Sequence, residues 1–124
     1  MAPRAEPTAV VGWGSLNPLA ADADSTWDAV IAGRSGIQAL QATWTDDLPV
    51  RLAGCIPDGA LDHLQPLLRR RSDRCAQLAV VAARQAWAMA ESITKGLDPN
   101  RIAVVIGTGI GGHATMHDQH TQLS

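Results

Sequence analysis

Four groups of residues in this chain have the types and spacing to do chemistry. Gly107-Thr108-Gly109-Ile110-Gly111-Gly112 follows the apolar run Ile102–Ile106 and satisfies the GxGxxG spacing that can cradle a dinucleotide. His113, His117 and His120 would share one face of a helix and, with Asp118 nearby, could hold a metal ion. Cys55 and Cys75 are potential nucleophiles, and Arg69, Arg70, Arg71 and Arg74 concentrate forked donors that suit carboxylate or phosphate.

Each group also has a plain structural reading. A dinucleotide unit needs its glycine loop after the first strand and an acidic residue ~20 positions further on, at the end of a second strand. Too few residues follow Gly112 to build that strand, so a structural or other ligand-serving loop is expected instead. The histidines lack the Glu of an HExxH arrangement, and neither a metal nor a cofactor is expected. Cys55 has no His near it in sequence, and Cys75 lies on an apolar helix face, where a thiol packs as a small hydrophobe. The arginine run is either a solvated face or an electropositive patch for an acidic partner, and both readings stand at this point.

The elements that must position these groups follow from composition and pattern. The 124 residues are 46% hydrophobic, enough for one domain that buries roughly two-thirds of its unfolded surface. Four Trp with no Phe or Tyr leave Ala, Val, Leu and Ile to fill the interior. A net charge of −2 gives no general field for nucleic acid, and two cysteines without CxxC spacing give no zinc or disulfide framework. No run reaches the ~20 apolar residues of a membrane span, and the opening residues lack a secretory apolar stretch, so a soluble cytoplasmic protein is expected.

In chain order, residues 1–7 read as a flexible lead-in and Thr8–Gly12 as a buried strand. A helix follows, capped by Asp24 or Ser25, with Trp27, Val30 and Ile31 on one face and Gly33 past its end. Residues 36–47 should form a loop anchored by Ile37, Leu40 and Trp44, and Leu48–Ile56 should contain a short strand. Pro57-Asp58-Gly59 predicts a turn, and Ala60–Leu68 a short helical segment interrupted at Pro66. A long Ala-rich helix spans about Asp73–Glu91, with Cys75, Leu78, Ala79, Ala82, Ala86, Met89 and Ala90 in its apolar stripe. Ile102–Ile106 has no polar alternation and predicts a strand buried on both faces, and HATMHDQHTQLS predicts a final helix. Strands alternating with helices predict an α/β fold with parallel pairing.

Four blocks, in order, resemble the N-terminal portion of a β-ketoacyl-[acyl-carrier-protein] synthase, the condensing enzyme of type II fatty acid synthesis. VVGWGSLNPLA resembles that family's opening strand and Gly-x-Gly-x-x-Thr-Pro-Leu-Gly turn, and STWDAVIAGRSGI its first helix. RRRSDRCAQLAVVAARQAWAMA resembles its Asp-Arg helix, and DPNRIAVVIGTGIGGHATMHDQ its strand and glycine-rich loop. Asn17 for Thr, Ala20 for Gly, Cys75 for a bulky aromatic, and Trp13 and Trp44 depart from the pattern.

The resemblance implies the first part of a thiolase-like, layered α-β-α-β-α fold, with residues 8–124 a partial domain cut before the nucleophile elbow. It implies an acyltransferase parent, usually a homodimer, whose catalytic Cys and two His lie past Ser124, so the chain alone should be inactive. In similar enzymes basic residues before the Asp-Arg helix contact acyl carrier protein bearing a phosphopantetheine-linked acyl chain; this matches Arg70 and Arg71, with Arg69 and Arg74 beside them. In similar enzymes the apolar residue between the loop glycines lines or gates the acyl pocket, which matches Ile110. A non-catalytic carrier-protein or partner-subunit binding module, of the chain-length-factor kind, and a polyketide-type ketosynthase are the alternatives.

Overall fold

Helix α3, Arg74–Met89, carries the buried cluster and takes the segment 12–14 on its surface. A computed structural model describes residues 7–124. Alanine favours the helix and keeps its surface low. Asp73, in extended backbone, starts it by accepting from the Cys75 N–H at 3.0 Å. Val81 is buried at 3% exposure against Leu61 and Leu64, with Leu16, Leu68, Leu78 and Val80 around them. Each of the three buried side chains contributes about 2 kcal/mol by leaving water. Within the expected stripe, Ala90 is buried and Cys75, Leu78, Ala79, Ala82 and Ala86 are half-buried, but Met89 is exposed.

The low surface of α3 admits a close crossing. A Cβ at Gly12 would run into the Ala86 carbonyl, and one at Gly14 into the Ala82 carbonyl, so the segment 12–14 lies directly on the helix backbone. Gln85 then locks the following turn, accepting from the Ser15 N–H at 2.9 Å and donating to the Ala21 carbonyl at 2.7 Å. Asn17 organises that turn from within. Its amide nitrogen donates to Ser15 Oγ at 2.7 Å and Thr26 Oγ1 at 2.9 Å, and its oxygen accepts from the Leu19 N–H at 2.8 Å.

Helix α1, Ala23–Ile31, is capped by Asp22 rather than Asp24 or Ser25. The Asp22 carboxylate takes both the Ser25 N–H at 2.7 Å and the Ser25 hydroxyl at 2.9 Å, so the helix begins before Ser25. Ala29 is its buried residue, whereas Trp27, Val30 and Ile31 are exposed. Gly33 ends the helix with φ +65°, as its position past the last turn predicts.

Residues 37–39 are not loop but strand β1, Ile37–Ala39, antiparallel to β2, Leu52–Gly54. Ile37 faces Gly54, Gln38 faces Ala53 and Ala39 faces Leu52. Gly36 and Gly54 both close on Pro18, which seats the hairpin against the first turn. Of the expected anchors only Leu40 is half-buried; Thr45 is buried instead, its hydroxyl donating to the Ala42 carbonyl at 2.6 Å, while Trp44 is 70% exposed.

Pro66 does not interrupt a helix but begins one. It is the first residue of α2, Pro66–Arg71, where its missing N–H costs nothing. Turns occupy 58–63, with Gly59 at φ +76°. After α3 come α4, Glu91–Thr94, a 3-10 turn at Pro99–Arg101 and α5, His113–Leu123.

The two apolar strands expected at Thr8–Gly12 and Ile102–Ile106 do not form among the described residues. Here the only ladder is the two-stranded antiparallel sheet, so the expected parallel pairing is corrected. A strand buried on both faces needs neighbours at both edges and layers above and below. Val10 is instead 80% exposed, and Val104 and Val105 are 81% and 93% exposed. Of the lead-in expected at residues 1–7, residues 1–6 lie outside the described residues. No described helix is long and apolar enough to cross a membrane.

Candidate functional site

The arginine run occupies an elbow between two helices. Arg69, Arg70 and Arg71 form the last turn of α2, where positive charge suits the C-terminal end of the helix dipole. Ser72 turns the chain with extended backbone, and Arg74 opens α3. Gln77 braces the bend by donating to the Arg69 carbonyl at 2.9 Å and the Ser72 carbonyl at 2.8 Å.

The four arginines divide between two grooves. Arg69 and Arg74 border a small one beside Ile56–Asp62, and Arg69 pairs with Asp62 at 3.2 Å. Both partners are well exposed, so that pair adds little stability. Arg70 and Arg71 border a groove of about 400 Å³ whose other wall is Gly112, Thr115, Met116 and Gln119. Among the described residues Arg70, Arg71 and Arg74 make no ion pair, which leaves their guanidinium groups available to an external anion.

Of the loop glycines, the backbone calls for one, Gly111, and a side chain crowds a second, Gly112. Gly111 has φ +74°, and its N–H donates to Thr108 Oγ1 at 3.0 Å, which folds the loop back on itself. A Cβ at Gly112 would stand 3.2 Å from Asp73 Cγ and Oδ2. Around Gly107 and Gly109 there is open space. Ile110, between the folded positions, is 77% exposed and borders none of the described grooves.

Asp73 is the residue that the sequence reading passed over. Beyond capping its own helix, its carboxylate accepts from the Thr115 hydroxyl at 2.6 Å and the Thr115 N–H at 3.3 Å. These bonds, the Thr115 hydroxyl first and the Cys75 N–H next, hold its acid form down to a pKa of about 2. The D-R pair at the start of α3 was the available signal; Thr115, 42 positions away, was not visible from it.

The remaining candidates divide as follows. Cys55 and Cys75 are free thiols, both half-buried. The Asp73 carboxylate, and then burial, push the Cys75 thiol up, which keeps it protonated and unreactive. His113, His117 and His120 do share one face of α5, with Met116 between them. Among the described residues no three His, Cys, Asp or Glu side chains are grouped to hold a metal ion.

A family model described as "Beta-ketoacyl synthase, N-terminal domain" matches residues 5–124. The chain is similar to the 3-oxoacyl-[acyl-carrier-protein] synthase 2 of Staphylococcus aureus, with 36% identity over 115 residues, 92% of this chain and 28% of that protein. It is also similar to the enzyme of the same name from Synechocystis, with 33% identity over 115 residues, again 92% of this chain and 28% of the relative. The chain thus spans little more than a quarter of the length of these relatives.

Proposed function

Because the chain belongs to the β-ketoacyl synthase family, matching its N-terminal domain over residues 5–124, we propose that it supplies the carrier-docking edge and a wall of the acyl pocket to a 3-oxoacyl-[acyl-carrier-protein] synthase. Arg70 and Arg71 receive the acidic carrier protein, with Arg69 and Arg74 at the flanks, and Ile110 meets the acyl chain. The layered thiolase-like fold and a homodimeric, cytoplasmic parent belong to the same proposal. Within it, Thr8–Gly12 and Ile102–Ile106 take their strand form beside the polypeptide that completes the layers.

The parent reaction is decarboxylative condensation. A Cys thiolate accepts the acyl group from the carrier's phosphopantetheine thiol. Malonyl-carrier protein then loses CO₂, and the enolate carbon attacks the acyl-thioester carbonyl, forming the carbon–carbon bond and expelling the Cys thiolate. This segment holds no catalytic group in the proposal: the Cys and the two His come from the part of the relatives' length that the chain does not span. Its own residues orient the carrier and shape the pocket.

One observation carries the reading. Arg70 and Arg71 face the end of the glycine loop, Gly112, across a single groove, so a carrier docked on the arginines would stand beside the loop that bears Ile110. The charge-reversed pair Arg70→Glu and Arg71→Glu tests it. Titrated with acyl carrier protein at low salt, the variant should bind roughly tenfold more weakly or worse, and added salt should narrow the difference. Equal affinity would remove the docking role. Formation of 3-oxoacyl product by residues 1–124 alone, given acyl- and malonyl-carrier protein, would overturn the assignment of the reacting groups.

A further inference from the structure

Asp73 sits where the arginine elbow meets the glycine loop, and it caps two helices at once. One oxygen, Oδ1, accepts from the Cys75 N–H at the start of α3 at 3.0 Å. The other, Oδ2, accepts from the Thr115 N–H at 3.3 Å and the Thr115 hydroxyl at 2.6 Å, in the first turn of α5. Helix α5 has no side-chain cap of its own, because Gly112 stands at its N-cap position. A carboxylate there satisfies orphan donors and meets the positive ends of both helix dipoles.

The glycine is part of this arrangement. The close approach of Asp73 to Gly112 leaves little room for a Cβ. Upstream, the Gly111 N–H bond to Thr108 Oγ1 holds the other side of the loop, so Ile110 lies on a short arch anchored at Thr108 and, through α5, at Asp73. Among the described residues, α5 makes no other hydrogen bond or ion pair to any residue before Gly111. The hydrogen bonding that ties the arch and α5 to the elbow therefore runs through one carboxylate.

We infer that Asp73 is a positioning residue: by capping α3 and α5 together it fixes the Gly107–Gly112 loop, and Ile110 with it, relative to the arginines at the α2–α3 elbow. The geometric statement stands on the contacts themselves, whereas its importance for acyl transfer rests on the docking and pocket roles proposed above. Under that reading a carrier protein bound on Arg70 and Arg71 would be felt at the pocket wall through Asp73, without contact between them.

Amide hydrogen exchange of residues 107–118 tests this in the 124-residue chain. Thr115→Val removes the hydroxyl bond with little change of shape at an exposed site, and Asp73→Asn keeps the size while converting one acceptor to a donor. Both variants should exchange roughly tenfold faster over the loop and the first turn of α5, while Val80–Ala86 in α3 keep their protection. Unchanged exchange over the loop in both variants would overturn the inference, and equal acceleration throughout α3 would reduce Asp73 to an ordinary stabilising cap. A second arm adds acyl carrier protein to the unsubstituted chain and to Thr115→Val. Slower loop exchange in the former only, at equal affinity, is expected. Failure of the carrier to bind either protein would defeat the docking role and leave the exchange result on Asp73 intact.

Discussion

Gln85 accepts a hydrogen bond from the Ser15 N–H at 2.9 Å, joining the middle of α3 to a turn 70 residues earlier in the chain. Its amide nitrogen also reaches the Ala21 carbonyl at 2.7 Å, so one side chain grips both ends of the turn. Gln85→Met keeps the length and apolar contact but leaves both backbone groups without their partner. Urea unfolding should show a loss of about 1–2 kcal/mol. A midpoint equal to that of the unsubstituted chain would make the grip incidental.

The glycines divide into those that the packing requires and those that it does not. Gly14→Ala drives a methyl group into the Ala82 carbonyl and must lift the segment off α3, at a cost of about 2 kcal/mol or more. Gly107→Ala meets open space, and its effect should stay within about 0.5 kcal/mol of zero. Thermal melts of the two variants check the contrast directly, and similar melting temperatures would contradict it.

That contrast also marks what could be read from the sequence. The α3 stripe was legible because a period near 3.6 is local, and so were Gly33, the Pro57-Asp58-Gly59 turn and a strand within Leu48–Ile56. Pro66 was misread because the same residue that breaks a helix interior is welcome at its first position. Thr8–Gly12 and Ile102–Ile106 carry the composition of buried strands, but composition names no ladder partner, and none is present among the described residues. At the candidate site, the density of the arginines marked a patch in the sequence, and only the resemblance pointed it at a carrier protein. Asp73 was missed because its significance lies in Thr115, and no spacing rule links a cap to the start of a second helix so far along the chain. Four ordered blocks nonetheless identified the family, since their order is specific where each block alone is not.

Asp73 also gives the chain an acid limit. Its folded pKa of about 2 lies below the ordinary carboxylate value of 3.8, so the ionised form is favoured by folding. That stabilisation is complete above the unfolded value and disappears as pH falls through about 2. Arg70 and Arg71 share its groove, and Cys75 donates its N–H to it. The Thr115 amide resonance should hold its position from pH 6 to pH 4 and shift as the pH falls through about 2, whereas Asp73→Asn should show no such step. A step centred at or above pH 4 would show that the bonds to Thr115 do not form.

Cys75 should be a slow thiol. With the Asp73 carboxylate and burial both favouring the protonated form, alkylation by iodoacetamide at pH 8 should lag behind that of a free cysteine. Asp73→Asn should recover part of the lost rate. Mass spectrometry of labelled peptides distinguishes this site from Cys55, and prompt labelling of Cys75 would disprove the placement of the carboxylate.

Val104 and Val105, 81% and 93% open to water, have a consequence outside the fold itself. Adjacent β-branched side chains on unladdered backbone are what chaperones and proteases bind when they sort misfolded polypeptides. Wherever that stretch stays uncovered, the loss of chain to capture or association would be governed by it more than by the temperature at which α3 melts.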